Sequence, residues 1–283
     1  MTKQFTFLFA LFFMFAFSES AFAEKKKTGW TPLYNGKNFS GWYIISGSSK
    51  KNEDPNHLFQ IHDGMVHMYK DAEDKSKQPH GYIVTEKEYS NYHLRFQYKW
   101  GTKKFGGKVD AKRDCGLLYH VIGKDGVWPK SVECQIQEGD TGDIFTVYTR
   151  VTTTVDPKST NVIAEVSTNA AGVMTTNEMT RPVFKDASEG GVPMVQGISG
   201  GIRRVVRNPE NEKKGWNTVE VIVRGDSSTH IVNGKVNNKI LHLEHMVDNQ
   251  WVPLTKGKIL LQQEGAEVFY RNIEIKMLDD VKE

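Results

Sequence analysis

Short apolar runs rich in Val, Ile, Tyr and Phe recur along the chain, alternate with polar positions, and are broken by Gly, Asn, Asp and Pro. A period of two is the mark of a half-buried strand. It predicts strands over 81–84, 93–100, 116–122, 131–137, 218–224, 229–232, 259–263 and 268–277. Asp63-Gly64 and Asn233-Gly234 sit between such runs and read as two-residue hairpin turns. No stretch keeps a helical period. Many short strands without interleaved helices imply an all-β sandwich or jelly roll of two antiparallel sheets. Residues 156–214 are rich in Thr, Asn, Gly and charge, with a weak strand pattern. They are expected as long loop insertions in one domain over 24–283, since long loops in compact domains often carry function.

The N-terminus has a different pattern. Lys3 precedes an apolar run from Phe5 to Phe17, and Ala21-Phe22-Ala23 follows. This is the layout of a cleavable export signal over 1–23, with cleavage after Ala23. The apolar run is shorter than the roughly 20 residues a membrane span needs. No Cys follows it to carry a lipid. A secreted or periplasmic location is expected, without integral membrane association.

Charge and cysteine content narrow the partners. The net charge is +3, and Lys and Arg are scattered without a basic stripe, so nucleic acid is not expected as a partner. Cys115 and Cys134 are the only cysteines. In an oxidising compartment they allow one disulfide; two buried free thiols are the equal alternative.

The densest polar run lies in Trp128–Asp143. Alternation puts Glu133, Gln135 and Gln137 on one face of a strand, and Cys134 and Ile136 on the other. An acid and two amides on one face suit a sheet that meets a polar ligand, although a plain solvated face reads the same way. In the strand around 114–120, Cys115, Leu117 and Tyr119 point one way, and Gly116, Leu118 and His120 the other. If both cysteines face the core, His120 and Glu133 emerge together on the opposite face. Trp42, Trp100 and Trp128 lie near these strands and offer rings on which a sugar can stack.

Longer motifs then join up. Gly29-Trp30-Thr31-Pro32-Leu33-Tyr34-Asn35-Gly36-Lys37-Asn38-Phe39-Ser40-Gly41-Trp42 resembles the opening signature of the 3-keto-disaccharide hydrolase domain family. The resemblance continues in Glu133-Cys134-Gln135-Ile136 with Gly142-Asp143, in Trp216–Glu220 with Asn233-Gly234, in Leu261–Gly265 and in Phe269–Ile275, covering nearly all of 29–278. It departs at Glu264, where many members have His, and in the length of 156–214.

The resemblance implies a concanavalin A-like jelly roll with Glu133 and Gln135 on its concave face. It also implies a glycoside oxidised at carbon 3 as substrate. The ketone acidifies the hydrogen on carbon 2; a base removes it, the group on carbon 1 leaves, and water adds. Such a route needs a base, an acid and a stabiliser of the enediolate. The residues suggest His120 as base, Glu133 as its partner, and Asp143 and Glu264 as acids. Gln135, Gln262, Asn233, Arg271 and Trp128 are expected to bind substrate. His120, Glu133 and Asp143 are the candidate ligands for a divalent metal ion. Two further readings stay open: a lectin-like carbohydrate-binding module, and ordinary glycoside hydrolysis by two carboxylates. Gln135 and Gln137 stand where glucanases of this fold place further acids, which counts against the second.

Overall fold

The computed structural model describes residues 29–168, 174–197, 202–206 and 211–279. The expected export signal at 1–23 lies outside these residues. The chain forms two antiparallel sheets. The seven-stranded sheet runs in the order Ile202–Val205, Ile144–Val147, Lys130–Gln137, Asp114–Ile122, Lys258–Gln263, Gly81–Thr85 and Trp42–Ser46. The main path of the twelve-stranded sheet starts with Met174–Phe184, Arg150–Thr168, Lys235–Val247, Ser227–Val232 and Asn217–Arg224. It continues with Tyr92–Lys104, Ala266–Met277, Met65–Met68 and Phe59–His62. Thr31–Pro32, Val192–Gln196 and Gln250–Pro253 attach to this path at its sides.

The core lies between the sheets. From the seven-stranded sheet come Ile83, Cys115, Leu117, Tyr119, Val132, Cys134, Ile136, Ile144, Ile259 and Leu261. They meet Leu94, Phe96, Tyr98, Val219, Val221, Val223, Val268 and Tyr270 of the other sheet. Each of these strands alternates as its sequence does, because a pleated strand can bury only every second residue against one partner. Both predicted turns form, with φ of 50° and 74° at Asp63-Gly64 and 50° and 79° at Asn233-Gly234. A third, Asp248-Asn249, has φ of 46° and 62° and joins Lys235–Val247 to Gln250–Pro253. Cys115 and Cys134 both face the core, as unbridged thiols.

Residues 156–214 depart from the expected loops. Much of the segment is strand: Arg150–Thr168 pairs with Met174–Phe184, and Val192–Gln196 and Ile202–Val205 join one sheet each. Threonine favours extended backbone, and the ladder does not need a clean apolar alternation to form.

Two buried histidines make stability depend on pH. His120 and His230 are 1% and 0% exposed. Burial pushes each imidazole down to about 4 from its ordinary 6.5. The unfolded chain therefore binds protons that the folded chain refuses, and stability falls as pH drops from about 6.5 towards 4. At 1.36 kcal/mol per unit, each ring contributes up to about 3 kcal/mol of this loss at the low end. Urea unfolding at pH 7 and pH 4.5 measures it; His230→Gln should remove about half of the difference that the two rings make between the two pH values.

Candidate active site

The site lies on the outer face of the seven-stranded sheet, the side turned away from the core. Glu133 and Gln135 stand there, 7% and 5% exposed. Across the ladders, Leu118 faces Glu133, Gly116 faces Gln135, and Asp114 faces Gln137. Gln262 is 2% exposed. The register of its strand, Leu261 opposite Leu117, sets it beside Gly116. Gly116 makes room there: a Cβ would stand 2.0 Å from Glu133 Oε1 and 2.5 Å from Gln262 Oε1, so both side chains would have to shift. The missing side chain thus lets a carboxylate and an amide oxygen converge over bare backbone. Gln262 Oε1 is buried without a hydrogen-bond donor.

Asp143 continues this face. Phe145 pairs with Glu133 and Ile144 joins the core, so Asp143 falls on the Glu133 side, 1% exposed. Gln135 N–H donates to the Asp143 carbonyl at 3.0 Å. The preceding turn is pinned from the other sheet: Asn237 Nδ2 donates to the Thr141 carbonyl and Asn238 Nδ2 to that of Gly142, both at 2.7 Å. Gly142 has φ of 99°, and a Cβ there would lie 2.4 Å from Asn237 Nδ2.

The other end of the face holds a buried ion cluster. Lys108 comes from the short helical turn Gly106–Lys108 and is 5% exposed. Its Nζ lies 2.7 Å from Asp114 Oδ2 and 3.1 Å from Glu264 Oε1. Gln137 Nε2 donates to the same Asp114 oxygen at 3.1 Å, while Asp114 Oδ1 has no partner. Burial alone would lower the ammonium; the Glu264 and Asp114 carboxylates outweigh it and hold Lys108 charged. One lysine cannot neutralise two carboxylates. Burial, together with the like charge of Glu264, raises Asp114 above the ordinary carboxylate range.

His80 leads into the strand Gly81–Thr85 and is sensitive to both Lys108 and Asp114. Burial, then the positive charge of Lys108, lowers its imidazole and keeps it neutral. Trp128 lies beside it, tilted by 46° with ring centroids 6.1 Å apart.

The site therefore brings together Glu133, Gln135, Asp143, Gln262, Glu264 and Trp128 from the sequence expectations. It leaves out three. His120 sits in a bulge, where register is lost between Tyr119 and Ile122 and its φ is 49°. The extra residue reverses its side. Its Nε2 lies 3.3 Å from the Gly225 carbonyl, and its ring packs near Tyr92 and Tyr119 in the interior. His120 is thus neither the partner of Glu133 nor a base on this face. Arg271 lies on the outer surface of the opposite sheet, 3.7 Å over the Trp216 ring, its Nε donating to Gln97 Oε1. Asn233 ties its turn to the neighbouring strand, its Nδ2 donating to the Asn211 carbonyl and Asn217 Oδ1, both at 2.7 Å.

The expected metal set of His120, Glu133 and Asp143 does not fit one ion, because His120 points to the other side of the sheet. Among the described residues, no three His, Cys, Asp or Glu side chains gather as metal ligands. The residues that sequence reasoning passed over are His80, Lys108 and Asp114. Asp114 was readable, since it shares parity with Gly116; His80 and Lys108 arrive from outside the polar strands and carry no local signal.

An all-β sandwich whose outer sheet face carries acids, amides and an indole has the equipment to handle carbohydrate. The chain belongs to the family described as the 3-keto-alpha-glucoside-1,2-lyase-like domain, whose model matches residues 29–276. Among solved structures, a provisionally assigned glycosyl hydrolase from Parabacteroides distasonis is 20% identical, with a TM-score of 0.50. That match covers 91% of this chain and 97% of the other. A Bacillus subtilis protein with a galectin-like fold is 12% identical, with a TM-score of 0.42 over 89% and 96% of the two chains. A carbohydrate-binding module from the same species is 10% identical, at 0.41 over 84% and 97%. These likenesses extend to the fold alone. No protein with a curated description matches the chain in sequence.

The contact over Gly116 predicts the effect of Gly116→Ala. The new methyl forces apart Glu133 and Gln262, two side chains that can move without unfolding the sheet. A displacement of about 1 Å in such a site costs on the order of 100-fold in rate. We expect a loss of that size in carbohydrate turnover, with a melting temperature close to that of the parent, measured by steady-state kinetics and calorimetry.

Proposed function

We propose that this protein cleaves 3-keto-glycosides, removing the proton on carbon 2, expelling the substituent on carbon 1 and then adding water. The observation that carries the reading is a pair of titratable groups pushed in opposite directions on one face. His80 is held neutral by burial and Lys108, and Asp114 is raised by burial and Glu264. Such divergence supplies a base and an acid at the same pH. His80 takes the carbon-2 proton, the role the sequence had suggested for His120. Asp114, in its protonated form, gives a proton to the leaving oxygen. The Lys108 ammonium sets a positive field that favours the enediolate oxygen. Glu133, Gln135 and Gln262 accept from the sugar hydroxyls, which gives the unpartnered Gln262 oxygen the donor it lacks.

Export of the chain with cleavage after Ala23 belongs to the same proposal, because glycosides released outside the cytoplasm would meet it there. Family membership and the acid–base face favour an enzyme over a lectin-like module, which needs rings and amides but no divergent acid and base.

The assay is direct. Purified protein is incubated with a 3-keto-glucoside and with its unoxidised parent; only the ketone should be cleaved. A substrate with deuterium on carbon 2 should lose the label to ordinary water. Full retention of deuterium would return the argument to two-carboxylate hydrolysis, and sugar binding without turnover would favour the lectin-like reading. His80→Ala should lower kcat about 100- to 10,000-fold, the usual range for a lost general base.

The ion cluster gives a pH prediction. Activity should fall on the alkaline side as Asp114 loses its proton. Glu264→Gln removes the like charge that raises Asp114, so this limb of the kcat/KM profile should move to lower pH. A limb that stays in place would show that Asp114 is not the acid.

A further inference from the structure

The outer face carries a second feature beside the polar floor. Tyr43, Ile45, Tyr82, Val84, Leu118, Val121 and Leu260 form an apolar cluster in which no residue is more than 6% exposed. They lie on the side away from the core, so part of their cover must come from a segment laid over the sheet. The connection 123–129, Gly-Lys-Asp-Gly-Val-Trp-Pro, supplies it. Tyr43 Oη donates to Asp125 Oδ1 at 2.8 Å, and Tyr82 Oη lies 3.5 Å from the same oxygen. Gly126 N–H points to Tyr82 Oη at 3.4 Å. Lys258 Nζ donates to Tyr43 Oη at 3.0 Å, which polarises the phenol towards Asp125.

Beyond these bonds the connection is held near its end, where Ser131 Oγ donates to the carbonyl of the buried Pro129 at 2.9 Å. It contains two glycines, Gly123 with φ of 82°, and its Val127 side chain is 54% exposed. Three residues after Asp125 comes Trp128, the ring beside His80. The Tyr43–Asp125 bond is thus the shortest polar tie between the sheet and the segment that presents the indole to the site.

We infer that 123–129 is a substrate-positioning strap, with Asp125 as its anchor and Trp128 as the face it offers to a pyranose ring. Asp125 touches no reacting group. It acts by fixing where the indole stands relative to His80. The inference rests on the sugar-cleaving reading above for its ligand class, but the placement of Trp128 can be tested without turnover.

The first measurement is acrylamide quenching of tryptophan emission in Asp125→Ala and in its parent, each compared with the same protein carrying Trp128→Phe. The difference isolates Trp128; its quenching should rise when Asp125 is removed. The second is kinetic. Asp125→Ala should raise KM for a 3-keto-glucoside about 3- to 10-fold, the worth of one aromatic contact, with kcat nearly unchanged. Trp128→Phe should do the same, and the double variant should be no worse than the single ones, since both remove one interaction. Asp125→Glu should restore part of the loss. Tyr43→Phe removes the donor without touching the strap and serves if Asp125→Ala folds poorly. Unchanged quenching, additive losses, or a kcat effect at constant KM would overturn the strap. Absence of turnover in the parent would defeat the functional reading alone and leave quenching to decide the placement.

Discussion

A lysine buried between two carboxylates holds the polar end of this sheet together. Lys108 reaches Asp114 at 2.7 Å and Glu264 at 3.1 Å. It thereby joins a short helical turn, the start of one strand and the end of another. Gly265 makes room for it, since a Cβ there would lie 2.9 Å from Lys108 Cγ. Burying three charges is expensive, and apolar side chains of similar volume often do as well or better for stability alone. Breaking one partner from such a group costs about 3–5 kcal/mol because it strands the others. The cluster is therefore poor value as a staple. What it provides is a fixed positive charge and a carboxyl raised above its ordinary range, beside an imidazole lowered by burial and then by the same lysine.

The two faces of the seven-stranded sheet divide the labour. The inner face is mainly apolar and fixes the strands against the second sheet. With that face committed, the register is set, because a one-residue slip would turn every side chain over. The outer face inherits the register and can carry residues that no core would accept. Glu133, Gln135 and Gln262 are nearly as buried as core residues, and the bare backbone of Gly116 lets Glu133 and Gln262 converge. A desolvated polar floor of this kind strengthens every charge that acts on it.

The same alternation explains how much could be read from the sequence. The placements of Glu133 and Gln135 on one face, and of Cys115 and Cys134 on the other, follow from parity within unbroken strands. Parity fails at His120 and again at Arg271, and both failures are bulges. The first lies between Tyr119 and Ile122; the second lies between Arg271 and Glu274, with Asn272 at φ of 52°. Strict alternation with the core residues Ile273 and Ile275 would put Arg271 inside, and the bulge turns it outward. Neither site has a glycine to mark it. His80 and Lys108 were hidden for another reason. Each is adjacent to the site only because distant strands are, so nothing near them in sequence sets them apart.

The cluster also bears on which chemistry the face can support. Direct glycoside hydrolysis needs two carboxylates free to act across one bond, one as acid and one as nucleophile or base. Asp114 and Glu264 are both bound to Lys108, so neither is a free nucleophile, which leaves Glu133 and Asp143 as the carboxylates of this face outside the cluster. Elimination from a keto-sugar asks for something else: a base that is neutral before it acts, an acid held above the ordinary carboxylate range, and a positive charge that need not move. Burial sets the direction for both the base and the acid, and Lys108 acts on each, lowering His80 further and opposing the rise of Asp114 that Glu264 adds to. A change at Lys108 would therefore disturb both at once, so its effect on rate should exceed what the loss of either contact alone would suggest.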